Sequence, residues 1–168
     1  MKYVLLSLFI SITGNAAVEV AFIEIRNSKG DVVQLEPDGK FAHMAISYRN
    51  LWLHAHPAKG VEIVEREELE KLGPIKFLAT IPTPIKLDES EVKKFLGKSY
   101  DQQFSWTNEK IYCSELIAKL LKIEPQPMSF ESQVWSAKYK KLKGELGLSP
   151  DDIFKIFEKR GIKMRPQT

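Results

Sequence analysis

The sequence predicts an α+β domain with a mostly antiparallel sheet. Apolar–polar alternation broken by turn residues dominates the chain from Val18 to Ile81. Capped helix patterns dominate it after Asp88. The 168 residues suffice for one domain with a real core, and the composition is that of an ordinary globular chain. That mixture is the α+β pattern.

Residues 1–17 differ from the rest. Met1-Lys2 supplies positive charge, Tyr3 to Ile12 is a nearly unbroken apolar run, and Gly14-Asn15-Ala16-Ala17 offers small residues where a signal peptidase would cut. The run is too short to span a bilayer as an ordinary helix. It reads as a secretory signal, with a buried first strand or helix as the other reading. The leader holds no cysteine, which argues against lipoprotein processing. The expected organisation is a signal over 1–17 and one domain over 18–168, exported to the periplasm or outside the cell.

In chain order, Val18–Ile25 reads as a strand, Asn27–Gly30 as a turn, and Asp31–Leu35 as a short β segment. Phe41–Tyr48 and Leu51–Ala55 form a hairpin around Arg49-Asn50. Val61–Val64 and Ile75–Ile81 are further strands, Pro82 and Pro84 end the latter, and Glu65–Leu72 is a short helix. Asp88-Glu89-Ser90-Glu91 opens a helix that Gly97 stops. Residues 97–110 are an aromatic and polar loop, and 129–143 fit no element. Ser149-Pro150-Asp151-Asp152 has the serine cap, the proline and the acids of a helix start.

The one cysteine, Cys113, opens a helix whose stripe is Leu116, Ile117, Leu120 and Leu121. Glu115 and Lys119 pair on another face. The free N–H groups of the helix start favour a thiolate there. A free cysteine is also among the most buried residue types, so a small core residue is the blander alternative. One cysteine makes no internal disulfide, and a lone thiol in an oxidising compartment suits a catalytic role.

The three histidines, His43, His54 and His56, all lie on the hairpin. With Tyr48 and Leu51 in register, His43 falls opposite His56 and diagonal to His54, on one face. An odd loop would turn His54 away. Clustered imidazoles can hold zinc, but no carboxylate is an obvious further ligand and metal spacing is absent, so no metal is expected. They can also serve a cysteine nucleophile as base and orienting group. His56, beside Pro57, reads as an ordinary turn histidine. The net charge of +3 is small and the basic residues are scattered, which argues against a nucleic-acid partner.

Three sets of residues then carry a resemblance. Lys29-Gly30-Asp31-Val32-Val33, Phe41-Ala42-His43-Met44-Ala45-Ile46, Leu53-His54-Ala55 and Gly60-Val61-Glu62-Ile63 form the first. Gly97-Lys98-Ser99-Tyr100-Asp101, Trp106, Asn108 and Ile111 to Leu116 form the second, and Ser149 to Ile153 the third. In this order they resemble the permuted NlpC/P60-type hydrolases, in the YiiX/YebB-like branch related to lecithin retinol acyltransferase-like proteins. The histidine strand precedes the cysteine, as in that branch.

The resemblance implies a papain-like fold with the cysteine helix packed on an antiparallel sheet. It implies Cys113 as nucleophile, His43 as general base, and His54 where family members carry a histidine, acid or amide that orients the base. A thiolate–imidazolium pair is the implied resting state. Tyr112, Asp101 and Trp106 are the further substrate or oxyanion candidates. The implied activity is a cysteine amidase or peptidase without cofactor, acting on peptides, muropeptides or acyl amides, in contact with cell wall or membrane lipid. Lipid acyl transfer, thioester cleavage and a non-catalytic ligand-binding module of the same fold are the alternatives. Phe104, Trp106, Phe130 and Trp135 are candidates to line the substrate pocket. A deep apolar slot would favour acyl chains, a polar groove muropeptides.

Overall fold

The computed structural model describes residues 17–82 and 87–168. Apart from Ala17, the expected leader lies outside the described residues, as does Pro84.

The elements run β1 (Glu19–Ile23), β2 (His43–Tyr48), β3 (Leu51–His56), β4 (Gly60–Val64), α1 (Arg66–Glu70), β5 (Ile75–Thr80) and α2 (Glu89–Phe95). Then come α3 (Cys113–Leu121), β6 (Gln126–Pro127), α4 (Ala137–Lys140), β7 (Leu146–Gly147), α5 (Pro150–Lys159) and β8 (Lys163–Pro166). Six strands form one sheet in the order β4-β3-β2-β1-β5-β8, every neighbouring pair antiparallel. This is the α+β architecture expected from the alternation.

Strand alternation divides the core. Val20, Phe22, Met44, Ile46, Leu53 and Ala79 pack with residues of α2, α3 and α5. Ala21, Ile23, Ala45, Trp52 and Leu78 face the other side with Leu69 of α1. Burying a side chain such as Leu116 or Ile153 contributes roughly 1.5–3 kcal/mol, so the helix layer is what holds α3 on β2 and β3.

The β2–β3 turn is the two residues Arg49 and Asn50, with φ of 51° and 65°. Two left-handed residues match the twist of a tight hairpin. Tyr48 pairs with Leu51, Ser47 with Trp52 and Ile46 with Leu53. That is the even register that brings the histidines to one face. Among the described residues no further pair continues this ladder toward the histidines.

Gly60, at φ 82°, starts β4 where an added Cβ would strike the Lys98 carbonyl. The close approach lets the Val61 N–H donate to Lys98 O at 2.8 Å and the Gly97 N–H to Val61 O at 2.8 Å. These bonds pin the loop that leads to Tyr100.

Two segments depart from expectation. Asp31–Leu35 forms no strand, only one bridge between Arg26 and Val32. Its carbonyls are used elsewhere: Gln34 O accepts from Ser132 Oγ, and Leu35 O from Trp135 Nε1 at 2.7 Å. β8 was not expected from its charged residues and proline. It pairs with β5 at the sheet edge, where proline is tolerated.

Candidate active site

Helix α3 starts at Cys113, and the residues around its first turn are fixed by buried polar contacts. Glu115 is fully buried and accepts the Tyr112 N–H at 3.2 Å and Lys119 Nζ at 2.6 Å. The Glu115–Lys119 pair expected on a helix surface is thus half interior. Burial raises the Glu115 carboxyl to about 7 against the pull of Lys119. Ser114 Oγ donates to Leu148 O at 2.6 Å, tying the helix start to the segment before α5.

The thiol lies at the wall of a narrow apolar cleft. Tyr100, Phe104, Tyr112, Phe130 and Trp135 are its aromatic lining, and Glu36 is its one carboxyl. Phe104 is the hub, with ring centroids 5.4 Å from Tyr112 and 5.2 Å from Trp135. Phe104 and Phe130 both hold left-handed backbone, at φ 54° and 49°. Bulky residues rarely adopt that region, and such strain gathers at functional sites. Glu36 accepts from Ser129 Oγ at 2.7 Å, and burial raises its carboxyl above the ordinary range.

The histidines come from the neighbouring strands. His43 and His54 are each 1% exposed, and His43 Nε2 lies 2.9 Å from His54 Nδ1. Burial lowers His43 to about 3, with the nearby His54 and His56 rings acting in the same direction. Burial lowers His54 to about 4 against the opposing charge of Glu62. His54 sits opposite Glu62 on β4, and His54 Nε2 is 3.4 Å from Glu62 Oε1. His56 Nδ1 caps its turn, accepting the Ala58 N–H at 3.0 Å and the Lys59 N–H at 3.2 Å.

The structure therefore joins His43 to His54. It packs Cys113 against β2, where the Met44 N–H acts to lower the thiol's pKa. The His43 imidazole bonds to His54 rather than to the thiol. The expected thiolate–imidazolium pair is corrected. Burial pushes the Cys113 thiol up to about 11, although the Ser114, Met44 and Cys113 N–H groups pull it down. The helix start acts in the anticipated direction and desolvation outweighs it. Both partners rest neutral.

The lower-ranked candidates separate. Tyr112 lines the cleft, but its hydroxyl accepts the Leu148 N–H at 3.2 Å. Asp101 is committed to its own loop, accepting from Gln103 N, Ser105 N and Ser105 Oγ at 2.8, 2.8 and 2.6 Å. Trp106 is not in the cleft lining; Lys119 Nζ lies 5.2 Å from its ring centroid. Phe104, Phe130 and Trp135 line the cleft as the aromatic content suggested.

No family model matches the chain. Among curated proteins it is similar to the uncharacterized protein YiiX of Escherichia coli strain K12, 27% identical over 142 residues, which cover 71% of this chain and 65% of YiiX. The chain is homologous to YiiX. It spans slightly less than two thirds of that relative's length. The crystal structure of the metalloprotein YiiX from Escherichia coli O157:H7 matches with a TM-score of 0.58 at 20% identity, covering 82% of this chain and 91% of that one. That likeness is one of fold.

Sequence reasoning missed Tyr100 and Glu62. Tyr100 lines the cleft with Cys113, its phenol interacts with the thiol, and burial holds that phenol well above its ordinary range, so it stays protonated. Its signal was faint, one aromatic in a loop of several. Glu62 sits in Val61-Glu62-Ile63-Val64, where alternation alone reads it as a solvent-facing acid. Extending the register from the His56–Gly60 turn would have placed it across from His54.

Proposed function

We propose that this chain is a cysteine hydrolase of the permuted, papain-like NlpC/P60 kind, cleaving amide-type bonds through an acyl-enzyme. One observation carries the reading. A lone cysteine at a helix N-terminus lines an aromatic cleft, and its helix packs on the strand of a histidine whose Nε2 is already held by a second histidine. With Nε2 engaged, Nδ1 is the nitrogen of His43 left to take a proton from the thiol.

In this mechanism Cys113 and His43 start neutral. Substrate carbonyl enters beside the sulfur, and the His43 ring closes on the thiol; such contacts are often looser without substrate. Nδ1 takes the thiol proton as Sγ attacks the carbonyl carbon. The developing oxyanion meets the Cys113 N–H, with the protonated Tyr100 phenol as a second donor within the cleft. His43 then gives the proton to the leaving nitrogen, and water clears the acyl-enzyme. The apolar lining favours an acyl chain or apolar side chain on the carbonyl side over a charged muropeptide.

The solved neighbour is described as a metalloprotein. The residues here do not fit a metal. Among the described residues no three His, Cys, Asp or Glu side chains converge on one point. His43 Nε2 and His54 Nδ1 are spent on each other, and His56 Nδ1 on its turn. The mechanism is therefore derived through the protein's own groups. The test is hydrolysis of acyl amides of graded chain length and of muropeptides, by wild type and Cys113→Ser, with mass spectrometry of the trapped protein. Turnover that Cys113→Ser abolishes, with an acyl mass on Cys113, supports the reading. Turnover unchanged by that substitution overturns it.

A further inference from the structure

His43 Nε2 and His54 Nδ1, 2.9 Å apart, share one hydrogen between them. Two arrangements satisfy that bond. In the first, His43 Nε2–H donates to His54 Nδ1, His54 carries its own proton on Nε2, and His43 Nδ1 keeps a lone pair. In the second, His54 Nδ1–H donates to His43 Nε2, His54 Nε2 bears a lone pair, and the proton of His43 sits on Nδ1, where no base is then left for a thiol. The rings switch together, because two N–H groups cannot face each other across that distance.

The group beyond His54 decides between them. His54 Nε2 is buried and has no hydrogen-bond partner among the described residues. The nearest acceptor is Glu62 Oε1 at 3.4 Å, directly across the β3–β4 ladder. A carboxylate accepts from an N–H and repels a lone pair. Lys59 Nζ lies 3.6 Å from the same oxygen, on its outer side.

The geometry points to Glu62 as a positioning residue whose carboxylate holds the His54 proton on Nε2 and so keeps the His43 Nδ1 lone pair free for Cys113. The inference rests on the hydrolase reading for its use, but not for its test. Glu62 touches no reacting atom; it acts through His54.

The experiment is nitrogen-15 imidazole correlation spectroscopy on the full chain near neutral pH, with the alkylation rate of Cys113 by iodoacetamide measured alongside. In wild type, both His43 and His54 carry the proton on Nε2. Glu62→Leu is expected to move both protons toward Nδ1 and to slow alkylation on the order of tenfold, less than the roughly 10²–10⁴-fold of a lost general base because Glu62 acts only through His54. Glu62→Gln, which keeps an acceptor oxygen, is expected to hold the wild-type tautomers in part and keeps the test open if the leucine variant folds poorly. Lys59→Met should leave the tautomers unchanged. Unaltered tautomers and alkylation in both Glu62 variants would reduce Glu62 to a surface partner of Lys59 and overturn the inference. A Glu62-dependent switch in a chain that hydrolyses nothing would keep the inference and sink the hydrolase reading.

Discussion

Helix α3 and the β2–β4 hairpins meet at one place with opposite chemistry. The helix brings Cys113 out of the apolar layer, beside aromatic rings and backbone N–H groups. The hairpins bring His43, His54 and Glu62 in a row of polar contacts with Lys59 at its outer end. Desolvation acts on both sides, raising the thiol and lowering the imidazoles, so each group is neutral at rest. The cysteine side supplies shape and dryness. On the proposed hydrolase reading, the histidine side supplies the route for a proton. On that reading, substrate binding brings the two together.

The largest expected effect tests whether the sides cooperate. His43→Ala should lower kcat/KM for a cleaved acyl amide by about 10²–10⁴-fold, the range of a lost general base. A loss of less than tenfold in steady-state kinetics would separate the histidines from the chemistry.

The cysteine side can be broken alone. Gly147 leaves room for the cleft wall: an added Cβ would lie 2.5 Å from Met128 Sδ and 2.7 Å from Tyr112 Oη. Gly147→Ala should therefore destabilise the fold by about 1–3 kcal/mol, as overpacking does, and weaken acyl-chain discrimination. Urea unfolding together with the chain-length profile reads both. The thiol itself should alkylate with a midpoint above its ordinary value of 9.0 and near 11. A midpoint well below 9 by iodoacetamide titration would restore the ion pair that the helix start first suggested.

The histidine side has its own signature in stability against pH. Folded His43 and His54 hold pKa values of about 3 and about 4, below the ordinary 6.5. Between about 4 and 6.5 the unfolded chain binds a proton at each ring that the folded chain refuses, so this contribution is present above 6.5 and is lost as pH falls. Each ring adds up to about 1.4 kcal/mol per pH unit to the slope. Chemical denaturation across that window should show it, and His54→Gln should flatten it. The smallest effect is expected at His56. His56→Ala removes a turn cap and should lower stability by about 0.5–1.5 kcal/mol, with kcat/KM within about twofold of wild type.

The two regions were also unequally legible. Alternation in β1, β2 and β3, the apolar stripe of α3 and the cap of α5 are local signals, and the elements stand where those signals put them. The register of the histidines followed from the Arg49-Asn50 turn, another local cue. Asp31–Leu35 misled because its apolar pattern is local while its carbonyl partners, Ser132 and Trp135, lie far along the chain. The charge state of Cys113 was misread for a similar reason. A helix start is visible in sequence, but the depth of burial that overrides it depends on Tyr100, Phe104 and Leu148 arriving from elsewhere. Glu62 and Tyr100 acquire meaning only from the neighbours that the fold supplies.

The Met44 N–H acts on the Cys113 sulfur across the seam between sheet and helix. An adduct on that sulfur would change the group the Met44 amide meets, so on the proposed reading the backbone registers the covalent state of Cys113. The Met44 amide should change its resonance and its hydrogen-exchange rate when Cys113 is acylated and regain both when the acyl group leaves. That amide is a built-in gauge by which turnover can be followed without labelling the substrate.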